Sequence, residues 1–243
     1  MRVVEINNIR DYIKDSIFIG KGTTAYCYLR PNNDVVKIYR NNSYTKELFS
    51  RVDMLQRLTD IDGIQNDTYV GPETILIKDG IVVGYVFPYV DAKTLHTVSL
   101  RTTLFDLFNN IDTLIDDTKD ISDKGFRLYD VHNKNILFDG NYYVIDLDKG
   151  KLVEDSSNIF KYNMSSIRST ILGQIFNSKP WEIIKFKDEE LQEFDGCNSW
   201  TSDENIYEYF RMLANKSGEA NPSIKQLRRK IGYKKYFNEY YKY

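Results

Sequence analysis

Residues 130–148 read DVHNKNILFDGNYYVIDLD, and this stretch decides the fold. An Asp-Gly-Asn turn in its middle separates two apolar runs, at 135–138 and 142–147. Asp-Gly between apolar runs is a strong short-range signal for a β-hairpin. A hairpin here would return the end of the second run to the start of the stretch, so polar residues at its two ends are predicted to meet.

The polar side chains brought together in this way have a clear chemistry. Asn135 and Asp146 offer an amide oxygen and a carboxylate, the hard ligands that suit Mg²⁺ carrying phosphates. Asp130 is then free to accept a proton from a hydroxyl nucleophile or to orient it. Each acid taken alone is more often a turn or cap residue. Their combination and spacing are what favour a site.

The first third of the chain is strand-like. Three strands are predicted over 16–21, 25–30 and 34–40, because these runs are apolar, aromatic or β-branched and are separated by turn residues. A helix that begins near residue 45 follows them. Residues 74–90 then predict a second hairpin, which turns at Lys-Asp-Gly.

Two features of these strands point towards phosphate. Gly20 and Gly22 lie in a strand-to-strand turn, where they would let the backbone approach a phosphate closely. A glycine-containing hairpin without a ligand is the simpler interpretation of that turn. Lys37 shares a strand face with Val35 and Tyr39. It is either a buried or cleft-lining lysine with an anionic partner, or an edge-strand lysine whose ammonium group reaches water.

The composition excludes several classes of protein. The 243 residues carry 33 Lys and Arg against 35 Asp and Glu, so general binding to nucleic acid is unlikely. Two cysteines and two histidines do not supply a disulfide framework or a structural zinc site. The longest apolar run, 81–90, is too short to span a bilayer, and no secretory leader is recognisable. We therefore expect a cytoplasmic protein.

The chain changes character near residues 88–94. Apolar residues from Leu104 to Ile115 follow helical spacing and predict an amphipathic helix that ends before Gly125. After residue 155 the sequence looks helical. A mostly β part is thus followed by a mostly α part.

The ordered set of glycine turn, strand lysine, helix, hairpin, Asp130-x4-Asn135 and Ile145-Asp146 resembles the protein-kinase-like superfamily. The resemblance covers about residues 16–150. It implies an α+β, bilobal protein-kinase-like fold. The N-lobe, residues 1–90, would be a small antiparallel β-sheet with one helix, and the C-lobe, residues 91–243, would be mostly α-helical.

The resemblance also implies roles for individual residues, with ATP and Mg²⁺ as cofactors. The residues implied in nucleotide binding are Gly20, Gly22, Lys37, Glu47, Phe87, Pro88 and Val90. Glu47 is the acid expected to pair with Lys37, although a second register puts Arg51 at that position. The implied catalytic residues are Asp130, Lys37 and His132, and the implied metal ligands are Asn135, Asp146 and Asp148.

The sequence departs from the protein-kinase pattern around the candidate catalytic loop. The loop reads Asp-x-His-x-x-Asn, which is similar to the aminoglycoside and choline phosphotransferases. His132 either donates to the transferring phosphate or holds the loop in shape. Asp148 either touches the metal or is a solvated turn residue. No arginine adjoins Asp130, so no switch driven by an activation-loop phosphate is expected.

These implications favour a kinase that moves the γ-phosphate of Mg-ATP to a hydroxyl. A protein Ser/Thr hydroxyl is the favoured acceptor, because the sequence shows no dedicated small-molecule pocket. The alternatives are a small-molecule kinase of the aminoglycoside or choline phosphotransferase type, a catalytically silent pseudokinase or binding module, and a nucleotidyl transferase.

The C-terminal segment, residues 222–243, is basic and aromatic. It carries seven Lys and Arg against one Glu, interleaved with tyrosines. Such a segment either docks an acidic partner or nucleic acid, or packs across the acidic remainder of its own chain. Packing is favoured, because crowded aromatic side chains seldom remain solvated.

Overall fold

We describe the fold from a computed structural model. The described residues are 1–41, 54–155, 157–179, 182–197, 200 and 202–237. The predicted α+β class is confirmed: one large, mostly antiparallel sheet comes from the first 88 residues, and the longer helices follow residue 104. Glu47, Arg51 and the start of the helix predicted near residue 45 lie outside the described residues.

The large sheet has six strands in the order β1-β5-β6-β4-β3-β2. Its strands are β1 Arg2–Glu5, β2 Ile17–Lys21, β3 Ala25–Leu29, β4 Asp34–Tyr39, β5 Thr74–Lys78 and β6 Ile81–Pro88. The three early strands and the second hairpin are therefore confirmed. β1 was not predicted, and it pairs in parallel with β5. β4 lies inside the sheet, between β3 and β6.

The close contact between β4 and β6 depends on a glycine. Gly84 lies opposite Ile38 in the sheet. A Cβ atom at residue 84 would collide with the main-chain oxygen of Lys37. The absence of a side chain at this position therefore lets β6 support the strand that carries the candidate phosphate-binding lysine.

Eight α-helices lie within the described residues. They are α1 Ile9–Tyr12, α2 Met54–Asp62, α3 Leu104–Phe108, α4 Ile111–Asp123, α5 Ile159–Ile175, α6 Glu189–Cys197, α7 Asp203–Ser217 and α8 Ile224–Lys230. The main apolar core runs from α2 through the packed faces of α3, α4, α5, α7 and α8. It includes Trp200, whose side chain is fully buried.

The single helix predicted from residue 104 was wrong, because the structure divides it between α3 and α4. The side chain of Asn110, at the break, donates to the main-chain oxygen of Gly140 at 3.1 Å and to the side chain of Asn141 at 2.9 Å. Its amide is thereby tied to the turn of the downstream hairpin. A tertiary contact interrupts a helix that the apolar spacing alone would continue.

The downstream hairpin is confirmed, with a shorter second strand than predicted. The short strands are β7 Lys93–Thr94, β8 Phe126–Arg127, β9 Ile136–Phe138, β10 Tyr142–Val144 and β11 Lys151–Leu152. β10 ends at Val144, because Asp146 has a φ of 66° and cannot continue a strand. A 3₁₀ turn, Leu147–Lys149, follows it.

The prediction of helix after residue 155 was wrong for two segments, which form paired strands. β12 Glu182–Phe186 pairs antiparallel with β13 Tyr233–Phe237. In the described part of the basic segment, Arg228 of α8 donates to the main-chain oxygens of Gln174 and Ile175, each at 2.6 Å. Tyr233 donates to the main-chain oxygen of Phe176 at 3.0 Å. Residues 224–237 thus pack against the end of α5.

Within the described ranges, the helices are all too short or too polar to cross a bilayer.

Candidate active site

The strand lysine is buried and paired. Lys37, on β4, has a side chain that is 6% exposed. Its Nζ forms an ion pair with Asp146, lies 2.8 Å from Oδ2 of Asp148 and donates to the hydroxyl of Tyr85 at 3.2 Å. Of the two sequence-based alternatives, the structure shows the buried lysine with anionic partners.

Burial and charge compete in this cluster. Burial lowers the pKa of the Lys37 ammonium, but the carboxylates of Asp148 and Asp146 outweigh it and hold the pKa above its usual value. Burial raises the pKa of Asp148, and Lys37 only partly offsets this. For Asp146, burial also opposes ionisation, but the neighbouring Lys37 charge holds its pKa below the usual value. Asp146 is thus the more readily ionised of the two acids.

The two acids are placed differently. Asp146 has a side chain that is 30% exposed, whereas that of Asp148 is 7% exposed. Asp148 also accepts a hydrogen bond from the hydroxyl of Tyr39 at 3.0 Å. Its buried carboxylate is therefore occupied by Lys37 and Tyr39, and Asp148 fits the acid partner of the lysine better than a metal ligand. Asp146 is the more exposed acid, so it is the one that a ligand from solvent can reach.

Two candidate site residues adopt the left-handed backbone conformation. Asp130 has a φ of 61° and Asp146 a φ of 66°. Non-glycine residues seldom adopt this region, and such conformations concentrate at functional sites because the surrounding structure must hold them. Here both residues with this conformation are acids that the sequence pattern assigns to the candidate site.

Asp130 is partly exposed and contacts two basic residues. Its Oδ2 lies 2.5 Å from Nζ of Lys149, and its Oδ1 lies 3.8 Å from Nε2 of His132. Nδ1 of His132 accepts a hydrogen bond from the main-chain N–H of Lys134 at 3.2 Å. That bond corresponds to the loop-holding role of His132. Lys149 was not among the predicted residues.

Asn135 joins the loop to the segment that carries Asp146. Its main-chain oxygen accepts from the N–H of Ile145 at 2.9 Å. Its side-chain amide is buried and donates to the main-chain oxygen of Asp130 at 3.2 Å. Since Nδ2 makes that bond, the amide oxygen is the atom left to contact a cation. The hairpin brings Asp130, Asn135 and Asp146 into neighbouring positions, as the sequence predicts.

One face of α5 holds the candidate catalytic loop in place. Fully buried Asn163 accepts from the N–H of Leu128 and donates to the main-chain oxygen of Phe126, both at 2.9 Å. Thr170, two turns further on, donates to the main-chain oxygen of Val131 at 3.1 Å. Gln174 then accepts from the side chain of Asn133 at 3.2 Å. Asn163, Thr170 and Gln174 have the spacing of one helical face, and that spacing could be read from the sequence. The three polar side chains differ in type, however, so they do not stand out as one functional face.

The glycine turn is closed by its own hydrogen bond. Gly20 lies at an irregularity in the pairing of β2 with β3. The N–H of Gly22 donates to the main-chain oxygen of Ala25 at 2.8 Å. Arg40 donates to the main-chain oxygens of Gly22 and Thr23 at 3.3 Å and 3.2 Å. In this structure the Gly22 N–H is therefore engaged within the turn, as in the simpler interpretation.

The end of β6 carries the residues expected to hold adenine. Phe87 is half-buried and its ring lies 5.6 Å from that of Tyr85. Pro88 is the last residue of β6 and pairs with Asp34. The N–H of Val90 has no hydrogen-bond partner among the residues that the structure describes. A free donor at this position is available to a ligand.

A cleft of about 570 Å³ lies between the candidate catalytic loop and α5. Asp130 and His132 line one part of it, and Lys179 and Glu182 another. The α5 wall is rich in hydroxyls, contributed by Ser165, Ser166, Ser169 and Thr170. Ligand pockets for small molecules have volumes of about 300–1,000 Å³. The cleft therefore has room for a hydroxyl-bearing molecule beside Asp130.

The donor set fits a nucleotide-bound Mg²⁺ better than a metal held by protein alone. In the described ranges, His, Cys, Asp and Glu side chains form no cluster of three suited to a metal ion. Mg²⁺ usually needs only one or two carboxylates, with phosphates and waters completing its ligands. Asp146 and the amide oxygen of Asn135 satisfy that smaller requirement.

Comparison with protein-family models gives no match to this chain, and comparison with curated protein sequences gives none either.

Proposed function

We propose that the protein is an ATP-dependent phosphotransferase that moves the γ-phosphate of Mg-ATP to a hydroxyl. The observation that carries the proposal is the convergence of Lys37 and Asp146 from segments 109 residues apart. Asp130 and Asn135 lie on the loop that is hydrogen-bonded to the Asp146 segment. A buried lysine, a carboxylate, an amide oxygen and a partly exposed loop carboxylate together form a set suited to phosphoryl transfer.

The proposed roles follow from the contacts of each side chain. Lys37, positioned by two carboxylates, would bind phosphate oxygens of the nucleotide in exchange for its hydrogen bond to Tyr85. Asp146 and Asn135 would hold Mg²⁺, which supplies charge neutralisation for the phosphates when it is bound. Asp130 would accept the proton of the acceptor hydroxyl. At the same time the hydroxyl oxygen would bond to the γ-phosphorus, and the bond from the γ-phosphorus to the β–γ bridging oxygen would break, which releases ADP.

The arrangement of elements supports the finer proposal of a bilobal, kinase-like fold. In this proposal the six-stranded sheet and α2 form the N-lobe, and the helices after residue 104 form most of the C-lobe. The nucleotide would lie between them, with adenine at the free N–H of Val90.

The cleft beside Asp130 favours a second acceptor class, a small hydroxyl-bearing molecule. It has the volume of a small-molecule pocket and a hydroxyl-rich wall. A protein Ser/Thr side chain entering the same cleft is the other acceptor. A small-molecule acceptor would carry the label into the metabolites of a cell extract, whereas a protein acceptor would carry it into the protein fraction.

The first experiment incubates the purified protein with Mg²⁺ and ATP labelled on either the γ- or the α-phosphate. Label is followed into protein and into small metabolites of a cell extract. Asp146→Ala should abolish transfer of the γ-label, because it removes the charged ligand proposed for the metal. Asp123→Ala, at an exposed position at the end of α4, is the matched control and should transfer normally.

Each outcome has a distinct meaning. Transfer of γ-label that Asp146→Ala abolishes supports the proposal, and the labelled fraction identifies the acceptor class. Transfer of α-label would replace the proposal with nucleotidyl transfer. Transfer that is equal in Asp146→Ala and in the wild type would overturn the site assignment.

A further inference from the structure

Lys149 is a basic residue at the candidate site that has no role in the phosphotransfer steps proposed above. Its Nζ lies 2.5 Å from Oδ2 of Asp130, and the two side chains are 34% and 32% exposed. Lys149 is the last residue of the 3₁₀ turn that follows Asp146. The turn therefore directs an ammonium group from the metal-binding segment onto the loop acid.

The position of this ammonium is chemically specific. Burial lowers the pKa of the Lys149 ammonium, but its hydrogen bond to Asp130 and the charges on Asp130 and Asp146 outweigh burial and hold the pKa above its usual value. The ammonium therefore lies within electrostatic range of both acids. In the proposed reaction, the γ-phosphate meets the acceptor hydroxyl in the region between those acids.

The other nearby basic groups already have other roles, Lys37 at the phosphates of the nucleotide and His132 in the loop. Lys37 is buried and bonded to Asp146, Asp148 and Tyr85. Nδ1 of His132 is engaged with the main-chain N–H of Lys134. Lys149, by contrast, is one-third exposed, and an ammonium has three donors, so it can keep its bond to Asp130 and still donate to another oxygen.

We propose that Lys149 is a further catalytic residue, which binds the transferring phosphoryl group while it remains paired with Asp130. This inference rests on the proposed phosphotransferase function. In the transition state, negative charge is spread over the three equatorial oxygens of the transferring group, and an ammonium already in place stabilises that charge. The acceptor proton still passes to Asp130, and Lys149 keeps its own protons throughout.

The test compares Lys149→Met, which keeps the length of the stem without the charge, with Lys149→Arg, which keeps the charge. Lys151→Met is the matched control. Lys151 is exposed, lies two residues further on, and its ammonium is 5.4 Å from the ring centre of Tyr129. All variants are made in the full chain, and their melting temperatures are measured first.

Because the acceptor is not identified, the activity readout is release of inorganic phosphate from Mg-ATP, with water as acceptor. The binding readout is the dissociation constant for Mg-ADP with and without aluminium fluoride, which mimics the transferring phosphoryl group. Lys149→Met should lower the rate by about 10²-fold, the effect of removing one such donor. It should weaken binding in the presence of aluminium fluoride and leave binding of Mg-ADP alone unchanged.

Lys149→Arg should recover part of both effects, and Lys151→Met should match the wild type. Equal rates and equal binding with aluminium fluoride in wild type and Lys149→Met would overturn the role of Lys149 and leave the proposed function intact. Equal weakening of Mg-ADP binding with and without aluminium fluoride would also overturn it, since Lys149 would then act on the nucleotide in general. A wild type that neither transfers nor releases γ-phosphate would instead overturn the proposed function itself, and the inference with it.

Discussion

Asp130 and Asp146 both have a left-handed backbone conformation, but their side chains contact different groups. Mutation of each residue is therefore expected to have a different effect. Asp146 is tied to Lys37 in the buried cluster, whereas Asp130 contacts Lys149 and His132 at the cleft. The main-chain oxygen of Asp130, to which Asn135 donates, does not depend on the side chain. Loss of the Asp130 charge should therefore leave the nucleotide-binding groups in place.

Asp130→Asn should change the dissociation constant of a non-hydrolysable Mg-ATP analogue by less than about threefold. The rate of γ-phosphate transfer should fall by about 10²–10⁴-fold, the usual contribution of a positioned general base. Calorimetric titration and labelled transfer measure the two quantities on the same preparation. Parallel loss of affinity and rate would show instead that the Asp130 side chain acts structurally.

At this residue scale, spacing predicted the acids but not the groups that position them. Asp130, Asn135 and Asp146 could be found because a local hairpin relates them along the chain. Asp148 was expected at the metal or in solvent, yet it pairs with Lys37, which is 111 residues away. Lys149 could not be distinguished from a surface lysine. Its contact with Asp130 depends on the left-handed turn at Asp146, which no sequence period encodes.

At the scale of elements, the predictable parts are those stabilised by neighbours in sequence. The hairpin β5–β6 turns within residues 78–81, and β9–β10 within residues 138–142, so local turn chemistry was sufficient for both. The pairing of β1 with β5 and that of β12 with β13 join segments far apart in the chain. Neither pairing has a local signal, and both were missed.

The C-terminal elements provide a matched pair of neighbouring arginines. Arg228 donates two hydrogen bonds to main-chain oxygens at the end of α5, whereas Arg229 is exposed. Arg228→Gln should lower the free energy of unfolding by about 2 kcal/mol, because charged donors are removed from helix-terminal carbonyls. Arg229→Gln should change it by less than about 0.5 kcal/mol. Urea unfolding curves measure both differences.

This pair also tests the two interpretations of the basic segment. If the segment serves to pack the chain, Arg228 should matter for stability and Arg229 should not. Equal and small effects of both substitutions would contradict packing at α8 and would favour docking of an acidic partner.

At the scale of the whole molecule, the 19 tyrosines give the fold a definite dependence on alkaline pH. Among the tyrosines in the described part of the chain, burial raises the phenol pKa of five, which are Tyr39, Tyr69, Tyr85, Tyr142 and Tyr209. Several are also hydrogen-bonded inside the protein; the hydroxyl of Tyr142, for example, donates to the main-chain oxygen of Leu107 at 2.6 Å. These phenols remain protonated in the folded state at a pH where they ionise in the unfolded chain.

The sign of the effect follows from this difference. A group whose pKa is higher in the folded state contributes stability that is complete below the unfolded value, about 10 for tyrosine, and is lost as the pH rises towards the folded value. The free energy of unfolding should therefore fall above pH 10, with each such tyrosine adding up to about 1.4 kcal/mol per pH unit to the slope. Lys37, whose pKa is also raised, acts in the same direction.

Urea unfolding at intervals between pH 8 and pH 11, with phenolate absorbance recorded on the same samples, measures this slope. Tyr142→Phe is the informative variant, because it removes one buried phenol. It should reduce the slope by the contribution of one proton, about 1.4 kcal/mol per pH unit, whatever its effect on stability at pH 8. The matched control is Tyr236→Phe, which removes an exposed phenol and should leave the slope unchanged. Stability that stays constant to pH 11 would mean that water reaches these phenols, which would contradict the packing of the sheet and the helices around them.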